Sequence, residues 1–358
     1  MAHILSLTTA SPSYILTQEH ILEKLHEFFP MPHEEKEKIR KVYQNSGVLK
    51  RHLVTDDYHA GPKMRKLLGE NYPREVPGMS VRNELYKELA PKLAEEAAKK
   101  AISEWGGDPL NLTHIISISC TGVMAPGLEF GLMESLGLKN SIMRLGINFM
   151  GCFGAFKGLE VAHAFAKLHP QNRILVVCTE LCSLHVQLHD NASAIMGNSL
   201  FADGAAAVII GQSEEESIFE MVKHSSIGLK DSRDHMRWEA SDHGFKMTLS
   251  QHVPIVLARH IQPFTEKLIA PYTIPSCDFA IHPGGKAIIK AVEKKLGLTP
   301  TQVEASWETF ANFGNMSSAT FLFVLDAMRK TGGQEWVTGL GFGPGLSAEG
   351  LLLKRNDR

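Results

Sequence analysis

Apolar residues in the N-terminal third recur at helical spacing. Between Gln18 and Phe29, Ile21, Leu22, Leu25 and Phe28 fall on one face, which predicts an amphipathic helix. Glu34–Gln44 predicts a charged helix, and Arg82–Trp105 a longer one that Pro91 kinks or breaks. On this pattern the first hundred residues are mainly helical. The period then changes. Short continuous apolar runs at His114–Ser119, Ile142–Ile147, Arg173–Cys178 and Gly204–Gly211 predict strands covered on both faces. Helices lie between them, one opened by Pro126 and stopped at Gly137, another over Gly154–Leu168. The alternation predicts an α/β fold.

The second half repeats the plan. Phe279–His282 predicts a strand that leads through Pro283-Gly284 into a helix at Lys286–Leu296. Pro126-Gly127 and Leu136-Gly137-Leu138 in the first half are echoed by Pro283-Gly284 and Leu296-Gly297-Leu298. Gly204–Gly211 has a counterpart in Gly350–Lys354. We therefore expect a duplicated architecture with halves 1–214 and 215–358, meeting in the polar stretch around Gln212 to Ser217.

Composition narrows the class. With 358 residues, 44% of them hydrophobic and 21% charged, the chain can bury a large core and is not a disordered segment. A net charge of -2 gives no general attraction for nucleic acid or a membrane surface. The longest apolar runs, such as Ala205–Ile210, are too short to span a bilayer, and the first residues lack the pattern of a secretory signal, so a cytoplasmic location is expected. Five cysteines are an odd number in a large chain, which argues against a disulfide framework. No motif supplies a metal site. The seventeen histidines are expected mostly at the surface.

Three stretches carry candidate chemistry. In Met150-Gly151-Cys152-Phe153-Gly154 a cysteine stands between glycines at the start of an apolar helix, where unpaired N–H groups lower a thiol's pKa. The alternative is an inert cysteine in a tight turn. His282 closes an apolar strand before Pro283-Gly284-Gly285, a position where α/β folds gather ligands; a turn histidine is the other reading. Asn315 either caps the helix expected at Met316–Met328 or donates an amide hydrogen bond to an oxyanion. A thiol, a base and a donor together suit acyl chemistry. The 130 residues from Cys152 to His282 are compatible with papain-like proteases, but the mid-chain cysteine and its flanks fit thiolase-fold condensing enzymes better.

Along nearly its whole length the chain resembles the type III polyketide synthases, the chalcone and stilbene synthase family. The resemblance rests on Gly151-Cys152-Phe153, Phe201-Ala202-Asp203-Gly204-Ala205-Ala206-Ala207, Ile281-His282-Pro283-Gly284-Gly285, Gly314-Asn315-Met316-Ser317-Ser318-Ala319 and Gly341-Phe342-Gly343-Pro344-Gly345. It implies a thiolase-like, five-layered αβαβα fold built from two duplicated halves, in a homodimer. Cys152 would hold a starter acyl group as a thioester, taken from acyl-CoA. His282 and Asn315 would hold the malonyl-CoA thioester carbonyl during decarboxylation. Repeated condensation and cyclisation to a pyrone, resorcinol or related product would follow. The CoA thioesters are substrates, and no cofactor is implied.

By the same resemblance Phe201 and Met247 are gatekeepers, the latter a methionine in place of an aromatic ring, and Cys120, Thr121, Cys182 and His185 shape the cavity. Lys38 and Lys41, with the backbone of Gly284, Gly285 and Ala287, would bind CoA; Asn45 occupies a third basic position. Gly341–Gly345 would form a loop of the cyclisation pocket, and Met124 or Ala125 would reach the partner subunit. Cys120-Thr121-Gly122 looks like bacterial or fungal members, which often use fatty acyl-CoA. The rival reading is a single-step ketoacyl synthase dependent on a carrier protein. A hydrolase or an inactive scaffold accounts for fewer of these residues.

Overall fold

The computed structural model describes residues 1–29, 32–187, 192–212 and 217–356. Its strands are β1 (Ala2–Ala10), β2 (Tyr14–Thr17), β3 (Lys50–Leu53), β4 (His114–Ser119), β5 (Met143–Asn148), β6 (Arg173–Leu181), β7 (Asp203–Gly211), β8 (Phe219–Gly228), β9 (Met236–Ser241), β10 (Gly244–Leu249), β11 (Cys277–Ile281), β12 (Trp336–Gly343) and β13 (Ser347–Arg355). Its α-helices are α1 (Gln18–Phe28), α2 (His33–Asn45), α3 (Met79–Trp105), α4 (Leu128–Ser135), α5 (Gly154–Leu168), α6 (Ala192–Leu200), α7 (Val253–Ile269), α8 (Lys286–Leu296), α9 (Pro300–Phe313) and α10 (Thr320–Thr331).

The duplication is visible in strand order. Outward from a central junction the first half runs β1-β7-β6-β4-β5 and the second runs β8-β13-β12-β11. In each, the last strand of the half lies antiparallel between the first strand and an inner neighbour. The pairs beyond, β6–β4 and β12–β11, are parallel. Gly204–Gly211 and Gly350–Lys354 thus fall on equivalent strands, β7 and β13. Among the described residues the second half has no counterpart of β5. The halves meet where Ala2–Ile4 pairs with Phe219–Met221. Residues 213–216, at the expected division between the halves, lie outside the described residues.

Alternating residues of the strands feed different cores, because successive side chains point to opposite faces. On β7, Ala206, Val208 and Ile210 face a central core with α5 and α10, while Ala205, Ala207 and Ile209 face α3. On β13, Leu351 and Leu353 join the central core, while Leu352 joins α7 and α8 on the outside. The layers are therefore helix, sheet, central helices, sheet, helix. Such double burial explains β1. Ala2, Ile4 and Leu7 enter the central core and Leu5 and Ala10 the outer one, so no polar alternation marks this strand in the sequence. The expectation of a mainly helical first hundred residues missed it.

Three other expectations change. The helix containing Pro91 is continuous from Met79 to Trp105, held by a buried face of Tyr86, Ala90, Ala94, Ala97 and Ala101. The helix expected from Met316 begins at Thr320, after a short 3-10 turn at Ser317–Ala319. Gly341 to Gly343, expected in a loop, belong to β12. They lie against α5, where a Cβ on Gly341 would approach Phe156 to 2.3 Å.

Close packing at that position gives a direct test. Gly341→Val is expected to destabilise the chain by about 1–3 kcal/mol through overpacking, read as a lower urea midpoint at constant m-value. Gly131, inside α4 with nothing near its missing Cβ, is the control. Gly131→Ala should raise stability by about 0.5–1 kcal/mol. Equal effects of the two substitutions would contradict the packing described.

Candidate active site

Cys152 lies in a 3-10 turn between β5 and α5. The chain reaches it through Gly151, whose φ of +75° suits glycine, and a Cβ there would stand 2.4 Å from Pro344 Cδ. The Gly151 N–H donates to Cys120 Sγ at 3.0 Å, which ties the turn to the end of β4. His282 follows β11 directly. Its N–H donates to Leu340 O at 2.8 Å, and its ring is wholly buried with neither nitrogen partnered. An unpartnered buried ring is costly unless a ligand uses it.

Asn315 arrives from α9 through Gly314, another left-handed glycine at φ +70°. Its N–H donates to Leu200 O and its carbonyl accepts from Ala202 N–H, which pins it beside Phe201. The Ser317 N–H, which can only donate, approaches Asn315 Oδ1 at 2.8 Å. The amide is therefore oriented with Nδ2 towards Cys152 Sγ, 3.9 Å away, and Gly284 O, 3.4 Å away. Gly284 in turn packs by the His282 ring. Both readings of Asn315 are thus partly met. It caps the short turn at Ser317, not α10, and it also turns its amide towards the thiol.

Burial dominates the electrostatics. It pushes the Cys152 thiol up to about 11, with hydrogen bonds to Ser317 and Asn315 pulling the other way, and holds the His282 imidazole down to about 3. Burial thus works against the acidification expected from the helix start.

A chamber of about 20 Å³ adjoins Cys152, lined by Cys120, Thr121, Cys182, Phe201, Met247 and Pro344. Met236, Trp238 and Ser317 also face it, and none of these was singled out in the sequence. His185 lines a neighbouring space instead. A separate cleft of about 1070 Å³ runs between α2, α6 and the start of α8. Lys41, Asn45, Gly284, Gly285 and Ala287 line it, as do Lys286 and Lys290. Lys38 does not; it points to solvent, paired with Glu34 at 2.9 Å. Met124 packs against the outer core of the first half, while Ala125 is exposed. His3, His52 and His185 join His282 as buried histidines, against the expectation for most of that residue type. All five cysteines are free.

Glu180, near the end of β6, was also missed. Its Oε2 accepts from Cys120 N–H at 2.9 Å and Thr121 Oγ1 at 2.9 Å, and its Oε1 from Ser318 Oγ at 2.5 Å. The available signal was a lone carboxylate interrupting an apolar strand.

The fold is of the thiolase type. The chain belongs to the chalcone and stilbene synthase family, whose acyltransferases are the type III polyketide synthases. The family models described as chalcone and stilbene synthases, N-terminal and C-terminal domain, match residues 1–214 and 220–356. Probable polyketide synthase 1 of Dictyostelium discoideum is 33% identical over 363 residues, covering 98% of this chain and 11% of that protein. The chain thus spans a small part of that relative's length. The C-terminal type III polyketide synthase domain of Steely1, a type I/III hybrid from Dictyostelium, has a TM-score of 0.93 at 33% identity, covering 99% of both chains. PKS-I from the brown alga Ectocarpus siliculosus gives 0.92 at 27% identity, covering 99% of this chain and 98% of that one. The fungal type III polyketide synthase ORAS gives 0.88 at 26%, covering 99% and 100%. Among the described residues no helix is long and apolar enough to cross a membrane.

The buried imidazoles set a pH dependence. His282 is held down to about 3 and His185 to about 4, both by burial, so the unfolded chain binds more protons than the folded one below about 6.5. Stability from these two groups is complete above that pH and is lost as pH falls towards 4. His282→Gln is expected to reduce the slope of unfolding free energy between pH 6 and 4.5 by up to about 1.4 kcal/mol per pH unit. An unchanged slope in denaturant titrations would contradict a neutral, buried His282.

Proposed function

We propose that the chain condenses malonyl-CoA repeatedly onto an acyl group carried on Cys152, then cyclises the product to a pyrone, resorcinol or related ring. The observations that carry this reading are a buried thiol with the Asn315 amide N–H 3.9 Å from it and a buried imidazole with neither nitrogen partnered. His282 accepts the proton of Cys152 Sγ, the thiolate attacks the starter thioester carbonyl, and CoA leaves with the proton. Malonyl-CoA then enters through the cleft, where Lys41, Lys286 and Lys290 supply cations for its phosphates. Loss of CO2 leaves the electron pair of the broken C–C bond on the enolate. Its oxygen takes hydrogen bonds from the His282 ring and Asn315 Nδ2. The enolate carbon attacks the acyl carbon, a C–C bond forms, and the Cys152 thiolate departs. No cofactor is required, since both reactants are thioesters.

A homodimer belongs to this reading. β5 ends the sheet as an edge strand, and Met143 on it and Phe149 just beyond are exposed. Open edges of this kind are commonly paired or covered.

The test is incubation of the purified protein with 14C-malonyl-CoA and acyl-CoA starters, with products identified by mass. Products extended by two or more malonyl-derived units are expected, absent in Cys152→Ala. Asn315→Ala should slow decarboxylation by about 10²–10³-fold, as expected for loss of one oxyanion donor. Free acid alone, or a single condensation that needs a carrier protein, would refute the proposal.

A further inference from the structure

The Asn315 amide is oriented by a hydrogen bond from the Ser317 N–H, whereas both nitrogens of the His282 ring lack a partner among the described residues. The aim of the ring therefore depends on packing and on the backbone that carries it. That backbone leaves β11 at an edge of the large sheet, where β12 is the only strand beside it among the described residues. On the inner side the His282 N–H donates to Leu340 O at 2.8 Å. The outer side of an edge strand presents open N–H and C=O groups, which are costly when buried.

Side chains of α9 close that side. At the start of the strand, Gln302 Nε2 donates to Cys277 O at 2.8 Å. Gln302 Oε1 accepts the Thr299 N–H at 2.9 Å, which fixes the amide that way round. One helical turn later, Ser306 Oγ accepts the Ile281 N–H at 2.9 Å and donates to Phe279 O at 3.4 Å. Residues four apart share a helix face, so this polar pair takes the place of a neighbouring strand. Ser306 is wholly buried. The two consecutive N–H groups that lead into the His282 side chain are thus held from opposite sides, Ile281 by the helix and His282 by the sheet.

We propose that Ser306 is a positioning residue for His282: it fixes the exit of β11 and so keeps the imidazole aimed at the malonyl thioester carbonyl. The proposal rests on the reading that His282 stabilises the enolate. Without the Ser306 hydroxyl the Ile281 N–H is buried with no partner, and the strand end is free to shift. A displacement of about 1 Å in a catalytic group can cost about 10²-fold in rate. Gln302 secures the other end of the strand, far from the ring, and serves the fold alone.

The test is a double-mutant cycle on the release of 14CO2 from carboxyl-labelled malonyl-CoA. Ser306→Ala should lower kcat by at least about tenfold while KM changes by less than about threefold, the split expected when a group that acts in the transition state is misplaced. In a His282→Gln background the same substitution should change kcat by less than about twofold, because no imidazole remains to be aimed. Gln302→Ala removes a bond of the same kind from the same strand and should also cost less than about twofold, whatever it does to the urea midpoint. Ser306→Cys is close in volume but a weak acceptor. It should fall between serine and alanine, and it carries the same cycle if the alanine variant does not fold. Equal losses in the two backgrounds, or a loss no larger than that of Gln302→Ala, overturn the proposal. An unchanged kcat in His282→Gln alone would overturn the underlying reading, and the proposal with it.

Discussion

Glu180 is a carboxylate buried completely between the two halves of the fold, and the site is assembled around its hydrogen bonds. Burial raises its pKa, while donors from Ser318, Cys120 and Thr121 favour the charged form. A carboxylate without such donors would be expensive at this depth, by several kcal/mol. The donors come from opposite halves. Cys120 and Thr121 close β4 of the first, and Ser318 belongs to the turn before α10 of the second. Satisfying one buried charge therefore fixes the relative position of both segments. Cys120 Sγ in turn accepts from the Gly151 N–H, and the Ser317 N–H donates to Asn315 Oδ1, so the nucleophile and the amide inherit that registration.

Burial that rigidifies the site also sets its chemistry. A thiol and an imidazole each held uncharged have little reactivity apart. In the proposed mechanism they offer one another a way to ionise, and the amide of Asn315 serves a third charge, that of an enolate oxygen. Cys152 opens the first central helix, α5, and His282 follows the end of β11. The nearby hairpin of β9 and β10 contributes Met236, Trp238 and Met247 to the lining of the Cys152 chamber.

The parts legible in the sequence were those with local signals. Gly151, His282 and Gly314-Asn315 stand at abrupt transitions between apolar elements, and such transitions are where left-handed glycines and strand ends place functional groups. Helices with one wet face, α1 and α2, were legible from their period. Elements covered on both sides were harder, which is why β1 was read as part of a helical region. The short hairpin strands and α7 were not identified at all. Trp238 and His185 illustrate a further limit: their partners are backbone carbonyls more than sixty residues away, and no local pattern encodes that meeting. Lys38, assigned to CoA by the resemblance, lies on an exposed helix face beside Glu34, outside the cleft that Lys41 lines.

The central claim is that Cys152 and His282 ionise as a pair within a buried site. Iodoacetamide alkylation of Cys152, followed by intact mass as a function of pH, tests it most directly. The unaltered protein should give an apparent thiol pKa well below that of His282→Gln, whose thiol has only burial and neutral donors and should titrate towards about 11. Superimposable pH profiles for the two proteins would contradict the pairing and remove His282 from the activation of Cys152.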